Sequence, residues 1–173
     1  LDHLIIADYN ANDFYFLDND HACREKIHVK DFTFRASSVN QLRNILYYDN
    51  RLLLLDSRGN CASLSSGGTI TPFYNPAPPL QNAVDFQVID RKLFIADSSA
   101  NAIHIAGLPG SRKNSEVEDI KTARYRFINC NISRMACSGK SLYLIANQLI
   151  GSGKYSNIKK VNITDRPRPE LLK

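Results

Sequence analysis

Long hydrophobic runs are missing from this 173-residue sequence. No apolar stretch reaches the roughly 18 residues that cross a bilayer, so no membrane span is predicted. The first residues have neither the basic flank nor the apolar core of a signal peptide, and the chain begins with Leu1 rather than methionine. We therefore expect a processed product or part of a longer protein, and the sequence does not indicate a compartment.

Recognisable catalytic and metal-binding signatures are also missing. The four cysteines form no CxxC pair, and the four histidines show no HxH or HExxH spacing. There is no G-x-S-x-G, no P-loop and no dinucleotide-binding fingerprint. The sequence therefore predicts neither a metal ion nor another cofactor, and it favours a protein that is not an enzyme.

A repeat of blade length is present instead. Four segments of nine or fewer residues, each starting with an apolar run, have similar sequences. They begin at Leu4, Leu52, Leu93 and Leu142. Their spacing falls within the 40 to 50 residues or so that are typical of a propeller blade. Each of the last three runs follows another apolar run across a short polar turn, which is the pattern of a β-hairpin.

Aspartate ends three of the four runs, and asparagine follows four residues later. The pairs are Asp8 and Asn12, Asp56 and Asn60, and Asp97 and Asn101. An aspartate at this place can accept backbone N–H groups of the following turn, and asparagine tolerates left-handed backbone geometry. We interpret these residues as structural rather than catalytic.

The repeat predicts an all-β fold built of four-stranded antiparallel blades, because a small sheet cannot bury both faces unless it stacks on neighbours. We expect inner strands near 4–8, 52–56, 93–97 and 142–146 and no helix over any of them. About four blades would cover residues 1–165, with rough bounds at 1–35, 40–75, 82–132 and 132–165. Residues 166–173 would form an extended tail.

The turn sequences resemble the NHL repeat, on the strength of Ile6-Ala7-Asp8 with Asn12 and of Ile95-Ala96-Asp97 with Asn101. The related YWTD propellers share this pattern, whereas the absence of tryptophan speaks against WD40 blades. The chain departs from NHL where Asp13, Cys61 and Ala102 replace the expected arginine. The resemblance implies a six-bladed ring, which another chain or a further segment would complete.

The charge is divided between the two parts of the chain. Residues 1–106 carry nine Lys or Arg and twelve Asp or Glu. Residues 107–173 carry thirteen Lys or Arg and five Asp or Glu. A basic third of a protein can attract an acidic protein surface or a nucleic acid.

We therefore predict a protein-interaction scaffold that binds a protein partner through its rim loops, and the basic part of the chain would attract an acidic partner. The candidate binding residues are turn positions of successive repeats and two basic pairs: Tyr9, Arg58, Ser99, Arg112, Lys113, Lys159 and Lys160.

Two alternatives stay open at this point. A lyase- or lactonase-type propeller enzyme would hold a metal in its central channel through acidic or histidine side chains, and Asn44 and Asp85, which align in the repeat, could face that channel. An NHL-type RNA-binding module would use basic and aromatic residues such as Arg124-Tyr125-Arg126-Phe127.

The cysteines make a separate prediction. Cys137 aligns with Val88 of the preceding repeat, so we expect it to be buried. We favour free thiols, although a Cys130–Cys137 pair is possible if the two Cα atoms lie within about 7 Å.

Overall fold

The computed structural model describes residues 4–8, 13–28, 42–65, 68–108, 123–126, 131–150, 153–162 and 169–171. These residues form β-strands, turns and connections, and no helix occurs among them. In chain order the strands are β1 (Leu4–Asp8), β2 (Asp13–Leu17), β3 (Cys23–His28), β4 (Leu42–Tyr48), β5 (Arg51–Asp56), β6 (Cys61–Leu64), β7 (Ile70–Tyr74), β8 (Ala83–Ile89), β9 (Lys92–Asp97), β10 (Ala102–Gly107), β11 (Ala123–Arg126), β12 (Asn131–Ser138), β13 (Ser141–Ile150), β14 (Gly153–Asn162) and β15 (Pro169–Leu171).

The strands form four small antiparallel sheets in which each strand pairs with its neighbour in sequence. The first sheet has three described strands, β1 to β3, and the others have four each: β4 to β7, β8 to β11, and β12 to β15. We call the sheets blades 1 to 4. The predicted all-β class and the small antiparallel sheets are confirmed.

The repeated apolar runs occupy the second strand of blades 2, 3 and 4. Strands β5, β9 and β13 each pair on both sides, whereas β1 lies at the edge of its three described strands. The hairpins before β5 and β9 turn through pairs of left-handed residues, with φ of 50° and 56° at Asp49 and Asn50, and 48° and 61° at Asp90 and Arg91. Such pairs match the twist of the strands they connect, which is why polar residues stand there.

Strands β5 and β9 are apolar on both faces because each lies between two neighbouring blades. Leu52 and Leu54 of β5 pack toward blade 1, and Leu53 and Leu55 pack toward blade 3. We call the side toward the preceding blade the backward face and the side toward the following blade the forward face. Three separate apolar clusters result, one at each of the three junctions between consecutive blades.

The first strands of blades 2 to 4 contact one another across the junctions. Strand β8 contacts both β4 and β12, so these strands lie at the same edge of successive blades. Each contains an irregularity in its pairing, between Leu42 and Asn44, between Ala83 and Asp85, and between Ile132 and Arg134. A bulge of this kind re-aims the side chain that follows it.

The prediction that Cys137 is buried is wrong. Cys137 is exposed, and its Sγ lies 3.4 Å from Oε1 of Gln87 on β8. Val88, at the equivalent position of blade 3, is buried because it faces the apolar Leu46 of blade 2. Cys137 of blade 4 instead faces the polar Gln87 of blade 3. Cys23, Cys61 and Cys137 are free thiols, and Cys130 lies outside the described residues.

Candidate functional site

The turn that follows β5 is built around the Asp56 side chain, which is fully buried. Its Oδ1 accepts the backbone N–H groups of Arg58 at 2.8 Å and Asn60 at 2.9 Å, and its Oδ2 accepts Nδ2 of Asn60 at 2.6 Å. Gly59 has the left-handed φ of 85°, where we expected Asn60 to take that role. The carboxylate fixes the turn from inside, and the Arg58 side chain is left exposed.

The turn that follows β9 repeats this design with different partners. Oδ1 of the buried Asp97 accepts the N–H groups of Ala100 at 3.0 Å and Asn82 at 3.2 Å, and Oδ2 accepts that of Gln81 at 3.1 Å. Asn101 is left-handed with φ of 50°, as its position predicts. Ser99 is exposed at the place that Arg58 occupies in the preceding turn. The structural role predicted for Asp56 and Asp97 is confirmed.

The chain between blades 2 and 3 connects these two turns. The N–H groups of Leu80 and Ala83 donate to the carbonyls of Arg58 and Ser57 at 2.9 and 3.0 Å, and the N–H of Ser98 donates to Asn82 at 2.9 Å. The two turns and the segment 80–83 therefore form one continuous surface, which we call the Asp-turn rim. Its backbone is held by main-chain and carboxylate bonds, so the exposed side chains are not needed for its shape.

A pocket of about 540 Å³ opens beside this rim. It is lined by the proline-rich crossing 75–81 together with Tyr74, Asp97, Ala100 and His104. Nε2 of His104 lies 4.0 Å from Oδ2 of Asp97. Tyrosine and proline rings offer apolar contact, and Asn75 and Gln81 offer amide groups, so the pocket has the composition of a binding site for a side chain. The sequence alone indicates only that this proline-rich segment is a stiff connection, because it does not show that the crossing folds over blade 3.

A second pocket, of about 520 Å³, lies at the opposite ends of the strands. It is lined by the β4–β5 hairpin, by Pro72 and Phe73 of β7, and by Leu108 of blade 3. Its charged members are Asp49 and Arg51. It therefore belongs to the other rim and shares no residue with the Asp-turn rim.

Asp85 is not a channel-facing group. It is 2% exposed, because the bulge at Val84 places its carboxylate between the blades. Its Oδ1 accepts the amide of Asn44 on β4 and the N–H of Phe86 at 2.8 Å. Its Oδ2 accepts the N–H of Met135 on β12 at 2.7 Å. One carboxylate thus joins three consecutive blades.

Burial raises the pKa of the Asp85 carboxyl above its ordinary value, against the opposing effect of the hydrogen bonds from Met135 and Phe86. The suggestion that Asp85 lines the channel of an enzyme is therefore corrected: its carboxylate is buried and accepts hydrogen bonds that join strands, one of them from the half-buried Asn44. Within the described ranges, no group of three or more His, Cys, Asp or Glu side chains is arranged to hold a metal ion.

The other predicted binding residues are placed as follows. Tyr9, Arg112 and Lys113 lie outside the described residues. Lys159 and Lys160 lie in β14, and Lys160 pairs with Tyr143 near the start of β13, away from the end of β13 that corresponds to the Asp-turn rim. The structure thus brings Arg58 and Ser99 to one surface and does not place Lys160 with them.

Arg124, Tyr125 and Arg126 lie in β11, but their side chains are not described, and Phe127 lies outside the described residues. No helix in the described part of the chain is both long and apolar enough to cross a membrane.

No protein-family model matches the sequence, and no curated protein matches it. Solved structures do match. Virginiamycin B lyase from Staphylococcus aureus aligns over 98% of this chain and 52% of its own, with a TM-score of 0.62 and 14% identity. The N-terminal domain of Nup159 aligns over 99% of this chain and 46% of its own, with a TM-score of 0.59 and 12% identity. A complex of S. cerevisiae Dbp5 with Nup159 and Gle1 matches with a TM-score of 0.58 and 11% identity.

These matched proteins are β-propellers, and the chain therefore has a propeller-like fold. Identities this low show the fold alone. The chain spans about half the length of the structures that it matches.

Proposed function

We propose that this chain is a non-enzymatic interaction scaffold that binds a protein partner through the Asp-turn rim. The observation that carries the proposal is the design of the two turns. Buried Asp56 and Asp97 fix the backbone, while Arg58 and Ser99 stand exposed at equivalent positions. Loops that a rigid scaffold holds in place are the usual carriers of recognition.

The rim also offers the physical ingredients of a binding surface. Arginine is among the side chains most often found as binding hot spots, and the neighbouring pocket of about 540 Å³ can accept a partner side chain. Tyr9 is included as a candidate because it directly follows Asp8 in the repeat, as Ser57 follows Asp56. Nup159, one of the matched propeller proteins, is itself found bound to a protein partner, Dbp5.

The partner that fits is acidic. The exposed Arg58 supplies a positive charge on the rim, and Arg112, Lys113, Lys159 and Lys160 add long-range attraction from the basic part of the chain. The turns also support an NHL-like subtype of propeller, because Asp97 and Asn101 perform the roles that this repeat assigns to them.

A binding comparison with matched variants tests the proposal. The purified chain is immobilised, incubated with a lysate of its source cells, and the retained proteins are quantified by mass spectrometry. Arg58→Glu should reduce the specifically retained partner by about tenfold or more, as expected for loss of a hot-spot side chain. Arg51→Glu is the matched control, because Arg51 is also exposed but lines the pocket at the opposite rim.

Reversing the charges at Arg112 and Lys113 together should also weaken retention, through loss of long-range attraction. Melting temperatures are measured for all variants and should equal that of the parent chain. Retention that survives both charge reversals at low and at physiological salt contradicts the proposal. So does retention that is lost with Arg51→Glu and kept with Arg58→Glu, since the contacts would then lie at the opposite rim.

A further inference from the structure

The pocket of about 520 Å³ at the rim opposite the Asp-turn rim lies between blades 2 and 3. On blade 2 its wall is the row Leu53, Ser63 and Thr71, which pair with one another across β5, β6 and β7 and therefore share the forward face. On blade 3 its wall is Leu108, whose N–H donates to the carbonyl of Arg91 at 3.0 Å. Both walls are thus held by main-chain hydrogen bonds. We call this cavity the junction pocket.

The next junction shows why space is left at this one. In blade 3 the equivalent row contains Phe94 and Ile105, which pair with each other as Leu53 pairs with Ser63. Phe94 is buried in the apolar cluster between blades 3 and 4, and Ile105 packs against that cluster. Leucine and serine are smaller than phenylalanine and isoleucine, and protein interiors are otherwise close-packed. The opening therefore comes from the small side chains of blade 2 and not from the blade architecture.

The lining combines ring surfaces with two hydroxyl groups. Tyr48, Pro72 and Phe73 supply the rings, and Ser63 and Thr71 supply the hydroxyls. Ser63 is half-buried and Thr71 is exposed, so one hydroxyl lies deeper in the pocket than the other. Each hydroxyl can donate one hydrogen bond and accept others. Apolar walls with a few polar groups are typical of a small-molecule site, in which the polar groups orient the ligand.

The charged members of the lining balance each other. Asp49 and Arg51 are both exposed, belong to the same hairpin and have opposite charge. An ionised ligand would leave water for apolar walls without meeting a net opposite charge, which is costly. The volume of about 520 Å³ also falls within the roughly 300–1,000 Å³ of small-molecule sites.

From these observations we infer that the junction pocket binds a small uncharged aromatic molecule that carries a hydroxyl or carbonyl group. The ring packs against Tyr48 and Phe73, and the polar group pairs with the hydroxyls of Ser63 and Thr71. The inference is independent of the rim-binding proposal, because the junction pocket shares no residue with the Asp-turn rim.

Titration of the purified chain with 2-naphthol, followed by ligand-observed NMR, tests the inference. We expect saturable binding with a Kd of about 1 mM or below, as is reasonable for a ligand of this size. The anion 2-naphthoate has the same ring with a carboxylate in place of the hydroxyl. It should bind about tenfold more weakly or worse, because the pocket does not compensate the desolvation of its charge.

Two variants fill the pocket by copying the next blade. Ser63→Ile reproduces Ile105 and Leu53→Phe reproduces Phe94, and each should abolish binding of 2-naphthol without lowering the melting temperature. Ser63→Ala keeps the space but removes the deeper hydroxyl, and it should weaken binding about three- to tenfold. Ser133→Ile is the matched control, because Ser133 is also half-buried but lies in blade 4, so this variant should bind as the parent chain does.

Far-UV circular dichroism verifies that each variant is folded. Binding that survives both filling variants would place the probe elsewhere and overturn the inference. So would 2-naphthoate binding as tight as that of 2-naphthol, an unchanged affinity in Ser63→Ala, or no saturable binding of 2-naphthol up to its solubility limit.

Discussion

Replacing Asp85 with asparagine removes the charge that joins three blades while keeping the size of the side chain. Asp85 accepts hydrogen bonds on both oxygens, from Asn44 and Phe86 on Oδ1 and from Met135 on Oδ2. An amide has one accepting oxygen, so one orientation leaves the Met135 N–H facing a second donor. The other orientation does the same to Asn44 and Phe86.

A buried donor that loses its acceptor costs about 1–3 kcal/mol of unfolding free energy. At this chain length each kcal/mol corresponds to about 2–4 °C in melting temperature. Asp90→Asn is the control, because Asp90 is exposed in the adjacent hairpin and asparagine tolerates its left-handed backbone. Its effect should stay within about 0.5 kcal/mol.

The pH dependence supplies a second readout with a defined sign. Because the folded-state pKa of Asp85 is raised, its contribution to stability is present at low pH and is lost as the pH rises through that value. Asparagine has no such dependence, so the stability gap between the parent chain and Asp85→Asn should widen on going from pH 7 to about pH 4. Urea unfolding followed by circular dichroism measures the gap.

Adding Asn44→Asp to Asp85→Asn should restore part of the lost stability, because the carboxylate introduced at position 44 accepts the amide at position 85, whose oxygen still serves Met135. This account of the carboxylate would be refuted if Asp85→Asn were as stable as the parent chain, or if the stability difference between the two narrowed at low pH.

Three further predictions concern separate parts of the fold. The hydrogen bond from Lys26 holds the pKa of Asp13 below its ordinary value, so Asp13→Asn should destabilise the chain at pH 7, and the difference should shrink only as the pH falls below about 4, measured by the same urea titration. Gly59→Ala should lower the unfolding free energy by about 2–4 kcal/mol, measured by thermal melting, because a Cβ there would lie 2.6 Å from a leucine side chain and the backbone has a φ of 85°. Gly139→Ala, where φ is 54° and the space around the Cβ is open, should cost about 1 kcal/mol. Equal costs for the two variants would contradict the packing argument. Thiol labelling of the native chain, analysed by peptide mass spectrometry, should modify the exposed Cys137 quickly and the buried Cys61, whose pKa burial raises, only after unfolding.

The repeat made the strands predictable, because each blade must satisfy the same local requirements. Apolar residues on both faces of β5 and β9 and an Asx turn after each strand are local properties, and they are visible in the sequence. The exposure of Cys137 was not predictable, since it depends on whether the facing strand, about 50 residues away in sequence, carries an apolar residue such as Leu46 or a polar one such as Gln87 at the equivalent position. The role of Asp85 could not be predicted for a related reason. A one-residue bulge changes the direction of a side chain, and no periodic pattern in the sequence marks it.

The candidate site divides in the same way. The turn positions of Arg58 and Ser99 follow from the alignment of the repeats, which fixes both residues in equivalent turns. The pocket beside them does not, because it forms where the proline-rich crossing meets Asp97 and His104 of the next blade. Such a cavity depends on the path of a connection, and the path depends on hydrogen bonds such as that from Leu80 to Arg58.

The separation of the core into three junction clusters makes the molecule a short linear array in its energetics. In such an array the stability is close to a sum of terms for each unit and for each pair of neighbours. Blades 2 and 3 each pack against a described neighbour on both faces, so their backbone amides should exchange slowly with solvent. The Asp85 carboxylate adds a link that spans three units at once, which ties the loss of blade 4 to the loosening of blade 2. Without that link the array should unfold over a broader range of denaturant concentration, as its blades separate one at a time.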